Sequence, residues 1–213
     1  LVDEYDIAGG GIITELVHDE QEGLREEARQ REYAWLTGDV RAEDRATQYG
    51  HRAAIVLFTG SAQTGKTFLA RRVEALLVAD SRHAYLLEGE NLLQGLDAEL
   101  SAADPSFAAE RVRRYGEVAR LLIDTGLIVV STSKTFGINY QRMAEMIRTL
   151  VQPAPVIAVH MSRAGEEPPP NTDLHFAGPQ DFDAAARQIL EELKRRGVLI
   201  QPSGTKSTIQ YSI

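Results

Sequence analysis

Apolar residues in this chain fall into short continuous runs that alternate with segments in which they recur at helical spacing. The runs are residues 53–59, 83–87, 127–131 and 156–160, each of strand length. A continuous apolar run is typical of a strand that is covered on both faces. The alternation therefore predicts an α/β fold, a parallel sheet with helices on both faces.

Two of the helical segments carry clear start and stop signals. Asp104 followed by proline precedes a predicted helix over 107–125, and Asp181 precedes a second over 182–196. Gly126 and Gly197 follow the last helical residues, where glycine commonly ends a helix. Both helical segments are therefore well marked in the sequence.

Local composition and apolar pattern divide the chain into four parts. Residues 1–17 hold two short apolar stretches around a glycine cluster, and residues 18–50 form a charged helical linker and lead-in. Residues 51–201 carry the alternating pattern of one domain, and residues 202–213 form a tail. The chain begins with Leu1 rather than Met and shows no signal peptide pattern, so we expect a fragment of a longer polypeptide.

The first apolar run leads into a loop of the form GxxxxGK[ST], and a helical pattern follows. The residues that we expect to contact nucleotide are Gly60, Ser61, Ala62, Gln63, Thr64, Gly65, Lys66, Thr67 and Phe68. Backbone N–H groups in such a loop surround phosphate oxygens at the start of a helix. Lys66 is expected to reach the β- and γ-phosphates, and Thr67 to bind Mg²⁺. The loop predicts a P-loop nucleotide-binding fold without choosing between ATP and GTP.

Composition narrows the class of partner. The chain has 213 residues, 43% of them hydrophobic, which is enough for one sizeable core, and no run is long enough to cross a membrane. The net charge of -8 argues against nonspecific binding to nucleic acid. Cysteine is absent, which is compatible with a reducing compartment. We therefore expect a cytoplasmic protein that binds small nucleotides and neither nucleic acid nor membrane.

Two carboxylates follow the second apolar run, where a parallel sheet presents its ligand-binding edge. Glu88 and Glu90 flank a glycine, and Asn91 comes next. Such a pair can hold Mg²⁺, for which Glu88 is the first candidate, or accept a proton from an attacking hydroxyl. The alternative is a polar turn with a helix cap.

Cationic side chains form two further candidate groups. Lys134 and Thr135 follow the third apolar run, where they either contact phosphate or belong to a polar loop. Arg111 and Arg114 lie on neighbouring turns of one predicted helix, where guanidinium groups suit an anionic acceptor. A solvated helix face is the alternative for these arginines.

The five histidines show no spacing typical of a metal site. They are isolated from one another along the chain, at positions 18, 51, 83, 160 and 175. His83 and His160 are read as ordinary strand residues.

Several motifs in order resemble adenylylsulfate kinase. They are Phe58-Thr59-Gly60 with the phosphate loop, Leu87-Glu88-Gly89-Glu90-Asn91, Gly95-Leu96, and Glu110-Arg111-Val112-Arg113-Arg114 followed by Gly116-Glu117-Val118-Ala119. Trp35 and Asp44-Arg45 fit the lead-in of that family, so the resemblance covers about residues 35 to 200. It implies ATP-dependent phosphorylation of the 3′-hydroxyl of adenosine 5′-phosphosulfate in sulfate assimilation. It also implies catalytic roles for Lys66, Glu88 and Glu90.

The departures from that family fall on the acceptor side. The family's Asp-Gly-Asp is Glu88-Gly89-Glu90 here, two family arginines are replaced by Leu93 and Ala108, and Arg111 stands in place of a family asparagine. Residues 162–171 are a short substitute for the long lid of the family. Two alternatives follow: a weak or inactive nucleotide-binding regulatory domain, or a kinase for another small anionic acceptor.

The beginning of the chain carries a second resemblance. The stretch from Val2 to Ile13 is similar to the closing β-barrel strands of the GTPase subunit of sulfate adenylyltransferase. This implies a covalently linked GTPase/sulfate adenylyltransferase domain as a partner. Self-association into a homo-oligomer is left open by the sequence.

Overall fold

A parallel sheet is built from the apolar runs of the sequence. The computed structural model describes residues 2–3, 6–7, 35–36, 38–100, 104–132, 140–178 and 181–200. Two very short strands at the start of the chain, β1 (Val2–Asp3) and β2 (Asp6–Ile7), pair antiparallel with each other. Most of the predicted linker helix over 18–36, and the whole of the tail 202–213, lie outside the described residues.

Five strands form the main sheet: β3 (Ala54–Gly60), β4 (Ala84–Glu88), β5 (Ile128–Thr132), β6 (Val156–Ser162) and β7 (Leu174–Ala177). Their order in the sheet is β4-β5-β3-β6-β7, and all of their pairings are parallel. Every residue of β3, β5 and β6 is buried, as expected for strands with helices on both faces. The predicted parallel α/β fold is confirmed.

Six α-helices are described. They are α1 (Ala42–Tyr49), α2 (Lys66–Ala79), α3 (Gly89–Leu93), α4 (Ala108–Asp124), α5 (Tyr140–Leu150) and α6 (Phe182–Arg195). The carboxylate of Asp181 accepts a hydrogen bond from the N–H of Ala184 at 2.9 Å, which is the predicted cap of α6. Asp104 caps a 3₁₀ turn, Pro105–Phe107, which precedes α4. No described helix has the length and apolar character that a membrane crossing requires.

The sheet separates the interior into two apolar clusters. On one face, α2 and α6 pack side chains such as Leu69, Val73 and Ile189 against β3, β5 and β6. On the other face, α4 and α5 contribute Val112, Met143 and others. The N-terminal lead-in is attached at one end of the sheet, where the ring of Tyr49 in α1 lies 4.2 Å from that of His83.

A buried tyrosine hydroxyl connects the second face to the carboxyl ends of two strands. Tyr115 of α4 donates to the carbonyl of Leu87 at 2.7 Å, and its hydroxyl also lies 2.6 Å from that of Ser131. The side chain is inaccessible to solvent, and this burial raises the pKa of the phenol above its usual range. The hydroxyl therefore stays protonated and fixes the ends of β4 and β5 relative to α4.

We expect Tyr115→Phe to lower the free energy of unfolding by about 1–3 kcal/mol, because it leaves a buried carbonyl without its donor. Tyr85→Phe is the matched control, since Tyr85 lies on β4 and is about half exposed, at 47%. Urea denaturation of both variants measures the difference. Equal stability of the two variants would contradict the structural role given to Tyr115.

Candidate active site

The phosphate loop lies between β3 and α2, at the carboxyl edge of the sheet. Gly60 has a φ of +122°, and a Cβ there would lie 2.7 Å from the carbonyl carbon of Met161 on the neighbouring strand. Gly65 has a φ of +87°, and a Cβ there would lie 2.7 Å from the ring of Phe182. Both positions therefore require glycine, for backbone conformation and for close packing.

Lys66 begins α2 and is 6% exposed. Its ammonium donates to the carbonyl of Gly60 at 2.8 Å and to the carbonyl of Ser61. The positive charge is thus held within the loop by the loop's own backbone. A bound phosphate would meet this charge together with the N–H groups at the start of α2.

The remaining loop residues differ in exposure. Ala62 and Gln63 are exposed, and the hydroxyl of Thr64 donates to the carbonyl of Ser61 at 2.9 Å. Phe68, also predicted to contact nucleotide, is 62% exposed, and its ring packs edge-on against that of Phe182 at 4.9 Å.

Thr67 carries a buried hydroxyl oxygen that has no hydrogen-bond partner among the described residues. A buried polar atom without a partner is costly, and it marks a position where a ligand can complete the hydrogen bonding or coordination. Hydroxyl oxygens are ligands that Mg²⁺ accepts. The environment of Thr67 therefore fits the expected metal ion.

Glu88 ends β4, and its carboxylate reaches both neighbouring elements of the site. One oxygen accepts from the hydroxyl of Thr132 at 2.9 Å, and the other lies 3.5 Å from the guanidinium of Arg71 on α2. Glu90 follows on α3, with one carboxylate oxygen buried. Both carboxylates thus lie at the same edge of the sheet as the phosphate loop, as predicted for residues that follow parallel strands. Asn91 is exposed on α3.

The two arginines predicted for an acceptor have different environments on α4. Arg111 is only 1% exposed, so the interpretation as a solvated helix face is wrong for this residue. Arg114 donates to Glu110 at 2.8 Å, to Glu99 at 2.5 Å and to the carbonyl of Leu96 at 2.6 Å. Its charge is therefore largely offset by carboxylates. The other two acceptor candidates, Lys134 and Thr135, lie outside the described residues.

A buried carboxylate that sequence reasoning missed lies beside this network. The side chain of Asp97 is fully buried, and neither of its oxygens has a hydrogen-bond partner among the described residues. Burial raises the pKa of Asp97, while the guanidinium of Arg114 at 3.7 Å acts in the opposite direction. A lone aspartate in a turn gives no sequence signal of such burial.

Glu166, also missed, connects the segment between β6 and β7 to the phosphate loop. Its carboxylate accepts from the hydroxyl of Ser61 at 2.6 Å and from the N–H of Arg163 at 3.0 Å. These hydrogen bonds lower the pKa of Glu166, with the Ser61 bond as the largest cause. The short segment between β6 and β7 thus contacts the nucleotide-binding loop.

Four of the histidines, although separated along the chain, form two close pairs in space. Parallel pairing of β6 with β7 places His160 beside His175, with ring centroids 6.0 Å apart, and His51 lies equally close to His83. The pKa of His160 is lowered, mainly by burial and then by the charges of His175 and Lys66. Nevertheless, no three His, Asp or Glu side chains in the described ranges are grouped to hold a metal ion.

The parallel sheet, the glycine-dependent loop and the buried lysine together define a nucleotide-binding protein of the P-loop kinase class. Comparison with known proteins then gives the family. The family model described as adenylylsulphate kinase matches residues 52–168. The chain belongs to the adenylylsulphate kinase family.

Individual relatives agree with this assignment. The adenylyl-sulfate kinase of Yersinia pestis is 28% identical over 194 residues, which is 78% of this chain and 89% of the relative. A mutant of the APS kinase of Mycobacterium tuberculosis matches with a TM-score of 0.60 and 28% identity, covering 68% of this chain and 99% of that one. The same kinase in complex with AMPPNP and APS matches with a TM-score of 0.59 and 23% identity, and the match covers the same fractions of the two chains. At this identity the similarity shows the fold alone.

We expect Gly60→Ala to destabilise the fold by about 2 kcal/mol or more and to abolish nucleotide binding, because the added methyl meets the backbone of β6. Gly95→Ala is the control, since a Cβ there has no heavy atom within 4 Å. Urea denaturation and calorimetry with an ATP analogue measure both effects. A Gly60→Ala chain that binds normally would refute the close-approach argument.

Protonation of Glu110 at low pH should lower the free energy of unfolding. Hydrogen bonds from Arg113, opposed by burial and assisted by Arg114, hold the pKa of Glu110 at about 2 instead of 4.5. A depressed folded-state pKa stabilises the protein above pH 4.5, and that stabilisation is lost as the pH falls towards 2. With solvent screening taken into account, we expect this stabilisation to be about 1 kcal/mol and to be absent in Glu110→Gln. Unfolding measured at several pH values tests this, with the exposed Glu167→Gln as control.

Proposed function

We propose that this chain transfers the γ-phosphoryl group of ATP to the 3′-hydroxyl of adenosine 5′-phosphosulfate, which yields ADP and 3′-phosphoadenosine 5′-phosphosulfate. The observation that carries the proposal is the phosphate loop, with Lys66 buried against its carbonyls, in a chain that belongs to the adenylylsulphate kinase family. The name and the bound AMPPNP and APS of the mycobacterial relative support ATP as donor and adenylylsulfate as acceptor. The reaction would serve sulfate assimilation.

On the donor side, the loop N–H groups and Lys66 bind the β- and γ-phosphates and offset the charge that develops during transfer. Thr67 would hold Mg²⁺ through its buried hydroxyl, and Glu88 would do so through water. The ion, when bound, supplies positive charge next to the transferring group. Glu166 holds the hydroxyl of Ser61 and so keeps the first residues of the loop in place.

On the acceptor side, the 3′-oxygen attacks the γ-phosphorus while the bond from that phosphorus to the β–γ bridging oxygen breaks. ADP leaves, and the hydroxyl proton passes to the carboxylate of Glu88 or Glu90, both at the carboxyl edge of β4. The hydrogen bond from Thr132 keeps Glu88 directed towards the site. Asn91, Arg111, Lys134 and Thr135 remain candidates for contact with the acceptor.

The acceptor side carries less free positive charge than its sequence indicates. Arg114 is paired with Glu110 and Glu99. The resemblance to the family also implies that Leu93 and Ala108 stand where family members have arginines. An anionic acceptor would therefore gain fewer charge-assisted hydrogen bonds, which are the strongest kind available for sulfate or phosphate. Relative to a kinase that keeps those contacts, we expect the KM for the acceptor to be raised more than the KM for ATP.

The test is ADP release from Mg-ATP with and without adenosine 5′-phosphosulfate, together with phosphorus NMR of the nucleotide product. We expect release that depends on the acceptor, a new 3′-phosphate signal, and a loss of at least about 100-fold in Lys66→Ala. Lys194→Ala is the matched control, because Lys194 pairs with Glu191 on the surface of α6.

The outcomes separate the alternatives. ATP binding without acceptor-dependent release would refute the kinase proposal and favour a regulatory nucleotide-binding domain. Acceptor-independent release alone would indicate ATP hydrolysis. Turnover only with another small anionic alcohol would keep the donor assignments and replace the acceptor.

The domain organisation of the chain is also a proposal. Residues 51–201 would form the kinase-like domain, with the lead-in 18–50 attached through α1 and the tail 202–213 following. Residues 1–17 would belong to a preceding GTPase/sulfate adenylyltransferase domain, a proposal supported by the antiparallel pairing of β1 with β2. A cytoplasmic location and a homo-oligomer stay predictions.

A further inference from the structure

A cavity of about 510 Å³ lies at the amino-terminal edge of the sheet. Its walls include Arg52 just before β3, Gly126 just before β5 and Pro155 just before β6. The seven residues of β3 separate this edge from the phosphate loop, a span of about 20 Å at roughly 3.3 Å per residue. The cavity is therefore distinct from the candidate active site.

Arginines outnumber carboxylates in the lining of this cavity. Four arginines and two carboxylates contribute to it: Arg45, Arg52, Arg120, Arg196, Glu43 and Asp124. Arg196 is bound to Glu192 at 2.8 Å and to Asp173, whereas the other three arginines form no ion pair within the part of the chain that the structure describes. In a chain of net charge -8, unpaired guanidinium groups around one cavity favour an anionic ligand.

The floor of the cavity is apolar, and one wall is aromatic. Ala46, Val151 and Val198 are at most 9% exposed and contribute to the lining. The guanidinium carbon of Arg120 lies 4.4 Å from the centre of the Trp35 ring, so a planar cation and an aromatic ring are already stacked at the rim. A volume within the range of small-molecule sites, with mainly apolar walls that carry a set of charged side chains, is typical of a ligand pocket.

We propose that this cavity is a second, non-catalytic binding site for a nucleoside phosphate. The apolar floor and the Trp35 wall would bury the planar base, and the guanidinium forks of Arg45 and Arg52 would bind the phosphate. Inorganic phosphate would leave the apolar walls unused, and an uncharged nucleoside would leave the arginines unpaired. The proposal does not depend on the acceptor of the kinase reaction.

Trp35 is the single tryptophan of the chain, so intrinsic tryptophan fluorescence reports on this cavity. The experiment titrates the full chain carrying Lys66→Ala, which disables the phosphate loop, with adenosine 5′-monophosphate. Calorimetry on the same samples detects binding that leaves the fluorescence unchanged. Inorganic phosphate and adenosine are titrated in parallel.

We expect saturable binding of adenosine 5′-monophosphate at least 10-fold tighter than that of phosphate or adenosine. Arg45→Gln and Arg52→Gln should each weaken it about 10-fold, the loss of one charge-assisted contact. Arg187→Gln is the matched control, because Arg187 is exposed on α6 and does not line the cavity. Circular dichroism confirms that the variants are folded.

Three results would overturn the proposal. The first is the absence of saturable binding in both measurements. The second is equal affinity for inorganic phosphate, which would make the arginines a general anion patch. The third is unchanged affinity in folded Arg45→Gln and Arg52→Gln chains, which would place the nucleotide elsewhere.

Discussion

The close approach of Gly60 to Met161 is the contact on which the geometry of the site depends. The N–H of Ser61 donates to the carbonyl of Met161 at 3.0 Å, so the chain leaves β3 while still bonded to the end of β6. Any side chain at position 60 would occupy the space of that backbone. The direction of the phosphate loop, and with it the position of Lys66 at the start of α2, follows from this single steric constraint.

Much of the fold could be predicted from the sequence because its signals are local. The apolar runs of β3 to β6, the caps at Asp104 and Asp181 and the glycine loop each depend on neighbouring residues. β7 was missed because it is a four-residue edge strand in which only alternate residues are partly buried. Strand pairing was equally invisible, so the contact of His160 with His175 could not be foreseen.

The acceptor side shows a different limit of sequence reasoning. Arg111, Arg113 and Arg114 look alike as a charged run, but Arg111 is buried while Arg113 and Arg114 form ion pairs on the helix surface. The sequence pattern alone does not show which arginine of such a run is buried. The burial of Asp97 likewise depends on tertiary packing, and the residues next to it in the sequence do not reveal that packing.

Among the residues that the structure describes, the sheet separates two apolar clusters that share no side chains. The phosphate-loop helix α2 belongs to the cluster with α6, whereas the arginine-bearing helix α4 belongs to the cluster with α5. Effects of substitutions that share no contacts tend to add independently. Substitutions in one layer should therefore leave the packing of the other layer largely unchanged.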